Sequence, residues 1–88
     1  MKKFLGKTLI SKSDNIFVEY YILKSSNGTY GLQVFQTGGL DNGSISTVMN
    51  VTRCYSLIQK LGNLILRNKV LPISLEEVIE DFLFDEEV

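Results

Sequence analysis

The sequence predicts an α+β fold, an antiparallel three- to four-stranded meander sheet followed by two helices packed on one face. Three observations carry this expectation. Up to about residue 51 apolar and polar side chains alternate with the period of a strand, and beyond it they recur at helical spacing. Asn and Gly gather at the breaks of the first half, at Asn27-Gly28, Gly38-Gly39 and Asn42-Gly43. The one proline, Pro72, falls between the two helical stretches.

Residues 7–11 form a short first strand that ends in Ser13-Asp14-Asn15. Residues 16–24 give the strongest strand signal, with Ile16, Val18, Tyr20 and Ile22 on one face and Phe17, Glu19, Tyr21 and Leu23 on the other. Both faces are apolar, which places this strand centrally. Asn27-Gly28 predicts a tight hairpin, because both residues accept φ > 0. Residues 30–37 return, and after the glycine-rich turn a fourth strand over 44–51 alternates through Ile45, Thr47, Met49 and Val51.

The period then changes. Thr52 is placed to cap a helix over about 53–68, whose stripe is Cys54, Leu57, Ile58, Leu61, Leu64 and Ile65. Adding Tyr55, Gly62 and Leu66 widens the apolar arc to about 200°, twice the ~100° that one contact needs. These three residues are therefore expected to meet the last helix or a second subunit. Leu71 precedes proline and must be extended. Ser74 with Glu77 has capping-box spacing, and Ile73 with Val78 has staple spacing, for a helix over about 74–84. Its stripe is Leu75, Val78, Ile79, Phe82 and Leu83, and the acidic end at 85–88 is expected to fray.

The chain has 88 residues, enough for one domain spanning 1–88 with one thin core. With no His and a single cysteine, Cys54, it offers neither an internal disulfide nor the ligands of a zinc cluster. Its longest unbroken apolar run is the four residues from Tyr20 to Leu23, against the ~20 that span a bilayer. No signal peptide is visible, so a cytoplasmic protein is expected. Charge is segregated: residues 70–88 carry seven carboxylates and no cation, while 51–69 carry four cations and no carboxylate.

Residues 68–83, with the pattern Val70-x-Pro72-x-x-Leu75 and then Val78-Ile79-Glu80-Asp81-Phe82-Leu83, resemble the C-terminal signature of a family of short proteins of unknown function from clostridia-type Firmicutes. Tyr20-Tyr21-Ile22-Leu23 and Tyr30-Gly31-Leu32 are similar to its strand pattern. The likeness spans about 16–83. Where the family often has His this chain has Ser74, so no role of that His carries over. The resemblance implies a bacterial or phage origin and a compact fold, and no activity.

Residue by residue, chemistry finds little support. Cys54 lies in an apolar stripe with no His to activate it, so core packing is expected. Glu76, Glu77, Glu80 and Asp81 face outward as a solvated set, unsuited to acid–base work or to enclosing a metal ion. No phosphate-cradling glycine loop is present, and Arg53, Lys60 and Arg67 lack interleaved aromatics, so nucleic acid is not expected as a partner. The reading is a small non-enzymatic interaction or regulatory protein, without cofactor or membrane contact, acting through a protein partner at Glu76, Glu80, Asp81 and Phe84. A homodimer through Tyr55, Gly62 and Leu66 is one form it could take. The alternative is a small-ligand binder, such as a phage-encoded inhibitor or sponge of a host defence molecule, with a pocket built from Tyr20, Tyr21, Tyr30 and the loop at 38–43.

Overall fold

The alternating first half folds into four strands, β1 (Lys2–Ser11), β2 (Ile16–Lys24), β3 (Tyr30–Thr37) and β4 (Ile45–Thr52). In the computed structural model, which describes residues 1–87 and side chains as far as Asp85, they pair antiparallel in the order β1-β2-β3-β4. The central position expected for β2 follows. Two helices complete the fold, α1 (Tyr55–Arg67) and α2 (Leu75–Glu87), the second preceded by a 3₁₀ turn at Pro72–Ser74.

β1 is twice the length its alternation suggested. It begins at Lys2, opposite Leu23, and bulges between Phe4 and Gly6 and again between Leu9 and Ser11. Each bulge shifts the in–out phase by one residue, which hides a strand from any count of period two. The same device acts in β4. Register jumps between Tyr30 and Leu32, and Asn50 adopts φ 59°. The expected face of Ile45, Thr47, Met49 and Val51 is thereby split. Val48 and Val51 pack against the core, while Ile45 and Thr47 lie on the opposite face.

The β2–β3 hairpin also departs from the expected two-residue turn. Gly28 alone takes φ > 0, +86°, and its N–H donates to the Ser25 carbonyl at 3.2 Å. This is a three-residue loop closed by Ser25 N–H on the Thr29 carbonyl, 2.9 Å. Asn27 contributes through its side chain, whose Oδ1 accepts from the Thr29 N–H at 3.1 Å.

The helices cover the sheet face that carries Val18, Tyr20 and Ile22 of β2 and Leu32 and Val34 of β3, all fully buried. α1 lies chiefly across β1, β2 and β3, and α2 packs on β4 and on α1. Ile58, Leu61 and Ile65 supply the underside of α1, and Leu75 and Ile79 that of α2. Each such side chain adds roughly 2 kcal/mol by leaving water. The Cα trace is 17 Å in its thinnest dimension, room for one sheet and one helical layer. The second sheet face is left open.

Both helix starts differ from expectation. Cys54, not Thr52, is the N-cap of α1, and the Thr52 hydroxyl accepts from the Cys54 N–H at 3.1 Å. Before α2, Leu71 is extended (φ −85°, ψ 158°), as a residue before proline must be, and Pro72 begins the 3₁₀ turn. With Pro72 fixing the first turn, Ile73 points into solvent at 91% exposure, so no staple to Val78 forms. Nor does a Ser74–Glu77 capping box appear among the side-chain hydrogen bonds of the described residues. At its other end α1 closes on Lys69 at φ 52°, with Val70 N–H on the Ile65 carbonyl (3.0 Å) and Lys69 N–H on Leu66 (3.2 Å). That is a Schellman ending with lysine where glycine is usual.

Tyr20 ties the layers together. Its hydroxyl, buried beneath α1, donates to the Val70 carbonyl at 2.9 Å. Burial pushes its pKa from 10.0 to about 12. Tyr20→Phe is expected to cost about 1–2 kcal/mol in urea melts, since the Val70 carbonyl loses its side-chain donor in a buried site. The unfolded phenol ionises first as pH rises, so stability should hold below about 10 and fall as pH climbs toward 12. Tyr20→Phe should lose that alkaline slope.

Candidate functional site

The two edges of the sheet are built differently. β1 carries Lys2, Lys3 and Lys7 and two bulges, all features that discourage another strand from pairing. β4 reads Ile-Ser-Thr-Val-Met-Asn-Val-Thr, without one charge. It pairs with β3 on one side and with no strand on the other, and α2 packs against it from the covered face of the sheet. α2 reads Leu-Glu-Glu-Val-Ile-Glu-Asp-Phe-Leu-Phe-Asp-Glu-Glu, without one cation.

Between the bare edge and the acidic helix runs a cleft in two parts. One, of about 390 Å³, lies between Thr47–Val51 and Glu76, Ile79, Glu80 and Leu83. The other, of about 370 Å³, lies between Ser44–Ser46 and Pro72, Ile73 and Glu76. Glu76 lines both, so they adjoin. Early residues of the helical segment face the start of β4 and later ones its end, so the segment runs alongside the strand. Consecutive β4 residues of both in–out phases line it, so the backbone of this unpaired strand forms part of its wall. Ile45, 55% exposed, and Ile73 stand at one end.

The acidic residues singled out in the sequence divide around this cleft. Glu76 and Glu80 line it, Asp81 is exposed away from it, and Phe84 follows one turn after Glu80. α2 continues to Glu87, past the expected helix end at about 84, and Phe84 is left 68% exposed on it. Val88 lies outside the described residues.

Of the three residues expected at a self-association surface, Tyr55 is exposed, whereas Gly62 and Leu66 face the sheet. Gly62 is buried, and a Cβ there would stand 2.6 Å from Leu5 Cδ1 and 3.7 Å from Ile22 and Leu32. Leu66 closes over Gly6 of β1. Tyr55 packs edge-on against Tyr30, centroids 5.4 Å apart, and its hydroxyl accepts from Lys3 Nζ at 2.8 Å. The sheet itself occupies the wide arc of α1, because β1 reaches further under the helix than the sequence indicated.

The three tyrosines of the alternative pocket do not meet either. Tyr20 is in the core, Tyr21 is on the open face, and Tyr30 is against Tyr55. Adjacent strand residues point to opposite faces, so Tyr20 and Tyr21 could never share one wall. The loop at 38–43 does border a cavity, of about 590 Å³, with Ile16, Gln36 and Leu71 and without any of the tyrosines. Asn42 Oδ1 accepts from the Gly38 N–H at 2.7 Å and holds that loop in shape.

The open face carries Phe4, Leu9, Phe17, Tyr21, Phe35 and Ile45, and lysines from β1 lie over it. Lys2 Nζ is 4.3 Å from the Tyr21 ring centre and Lys7 Nζ 4.7 Å from that of Phe17. The Tyr21 hydroxyl donates to Glu19 at 3.0 Å. Gln33 Nε2 reaches the Thr47 hydroxyl, 3.0 Å, while its Oε1 is buried without a partner. Among the described residues no three His, Cys, Asp or Glu side chains are placed to hold a metal ion. No helix among them is long and apolar enough to cross a membrane.

Comparison with known families gives one match, to a family described as of unknown function (DUF6514), over residues 1–85. The chain belongs to that family. No curated protein and no solved structure matches it.

In this DUF6514 chain Cys54 is exposed, not part of the core as expected. It sits one position before α1, outside the stripe that faces the sheet. The Ser56 hydroxyl, 3.1 Å from Sγ, and the Leu57 backbone N–H hold its thiol below its ordinary pKa. Native protein should therefore react fully with iodoacetamide, and the pH profile of alkylation should move upward in Ser56→Ala. An unmoved profile would show that Ser56 does not stabilise the thiolate.

Proposed function

We propose that the protein is a non-enzymatic interaction module of bacterial or phage origin, acting in the cytoplasm through contact with a protein partner. One observation carries the reading: the acidic face of α2, with Phe84 in its midst, borders the uncharged edge of β4. Exposed aromatic and aliphatic side chains with a charged rim are the ordinary makings of a binding surface. The fold gains nothing from Phe84 in that position, 68% exposed among carboxylates. The resemblance of residues 68–83 to short Firmicutes proteins supports the bacterial or phage setting.

The test is a double substitution, Glu80→Lys with Phe84→Ala. Both side chains are exposed, so the melting temperature should stay within about 3 °C of the parent. Stoichiometric capture of a partner from lysate of the source bacterium, identified by mass spectrometry, should be lost. Unchanged capture by a normally folded double variant would refute the proposal.

A second reading, small-ligand binding, is favoured by the cavity beside the 38–43 loop. Its volume of about 590 Å³ is within the range of small-molecule sites. Native mass spectrometry of freshly purified protein should then show a bound adduct that Gly39→Trp removes.

A further inference from the structure

We propose that the cleft between β4 and α2 receives an extended peptide segment of alternating basic and apolar side chains, which joins the sheet as a fifth strand along β4. This rests on the interaction reading above and names the class of partner.

The edge is competent to pair. Gln36 N–H donates to the Ser44 carbonyl at 2.8 Å, at the start of the β3–β4 ladder. Antiparallel alternation then directs the backbone groups of Ser46 and Val48 toward β3 and those of Ile45 and Thr47 away from it. Nothing on β4 blocks an arriving strand. It has no Lys, no Pro and no inward charge, and its bulge falls late, at Asn50.

The wall opposite selects the side chains. Residues i and i+4 of a helix are about 6 Å apart along its axis, and residues i and i+2 of a strand about 6.7 Å. Glu76 and Glu80 are such a pair, on a segment that runs alongside β4. Alternate side chains of an added strand would therefore meet them in turn. Lys or Arg fits best, with its aliphatic stem along Ile79 and Leu83 and its charge at the carboxylates. The intervening side chains would fall on the open face beside Ile45, where apolar groups fit. A second copy of this chain is the poorer occupant. Pairing β4 with β4 would bring two helices together that each carry carboxylates and no cation.

The test uses the full chain and a fluorescein-labelled octapeptide alternating arginine and valine. Its controls are the glutamate–valine analogue and an arginine–valine peptide N-methylated at alternate amides along one edge. Anisotropy should show binding of the arginine peptide and none of the glutamate peptide. N-methylation should weaken binding about tenfold or more, because main-chain donors are lost and the methyl groups crowd the pairing edge while charge and side chains are kept. Glu76→Lys with Glu80→Lys should weaken it by about tenfold or more. Amide exchange at Ile45 and Thr47 should slow in the complex. Equal binding of the N-methylated peptide, unchanged exchange at Ile45 and Thr47, or no binding of the arginine peptide would each overturn strand addition. So would sedimentation showing that the protein alone dimerises through β4. If the peptide fails while Glu80→Lys with Phe84→Ala still abolishes partner capture, strand addition is wrong and the interaction reading stands. If capture is also unaffected, both fall.

Discussion

The corner between the two helices is tied to the sheet by one buried hydrogen bond. The Tyr20 hydroxyl, on the central strand, holds the Val70 carbonyl at the corner between the helices. A carbonyl just past the end of α1 has no helical partner of its own, and in a dry setting it must find one. The donor that it finds stands on β2 and is fixed by the core around it. That fixes the corner over the middle of the sheet. Pro72 then sets the direction in which the chain leaves, and the second helix comes down beside β4 rather than across β2. The cleft is a by-product of this geometry.

Much of the fold was legible because its strongest signals are local. The alternation of residues 16–24 is uninterrupted, and both strand ends matched. The same holds for residues 30–37, and for the extended Leu71 that Pro72 demands. What could not be read depends on partners distant in sequence. β1 extends to Lys2 because β2 is long enough to pair with it, and its bulges erase the period that would have shown this. Gly62 was expected to meet the last helix or a second subunit. It is in fact the place where Leu5, 57 positions earlier, presses against α1, and the first six residues gave no hint of a strand there.

The candidate site was half legible. An acidic helix with a misplaced aromatic can be read from Glu76, Glu80 and Phe84 alone. Its counterpart cannot, since an uncharged strand is unremarkable until it is known to be an edge. Charge alone does not single it out, because the strands over 30–37 and 44–51 both lack a charged residue and only the pairing order makes the second of them an edge. The tyrosine pocket failed for a plainer reason, because adjacent positions on a strand face opposite ways. Cys54 failed because the helix begins two residues later than Thr52 suggested, which takes the thiol off the buried stripe.

The contrast between the two edges has a colloidal consequence. β1 is guarded by its own lysines and bulges, which travel with the strand in every condition. β4 is guarded only by the field of the neighbouring helix. Fields of exposed carboxylates reach about 10 Å at 0.1 M salt and about 3 Å at 1 M. In dilute buffer, two such sides therefore repel each other. In concentrated salt the strand is as bare electrically as it is in sequence. The shielding of this edge is lent to β4 by α2, and ionic strength decides how far the loan extends.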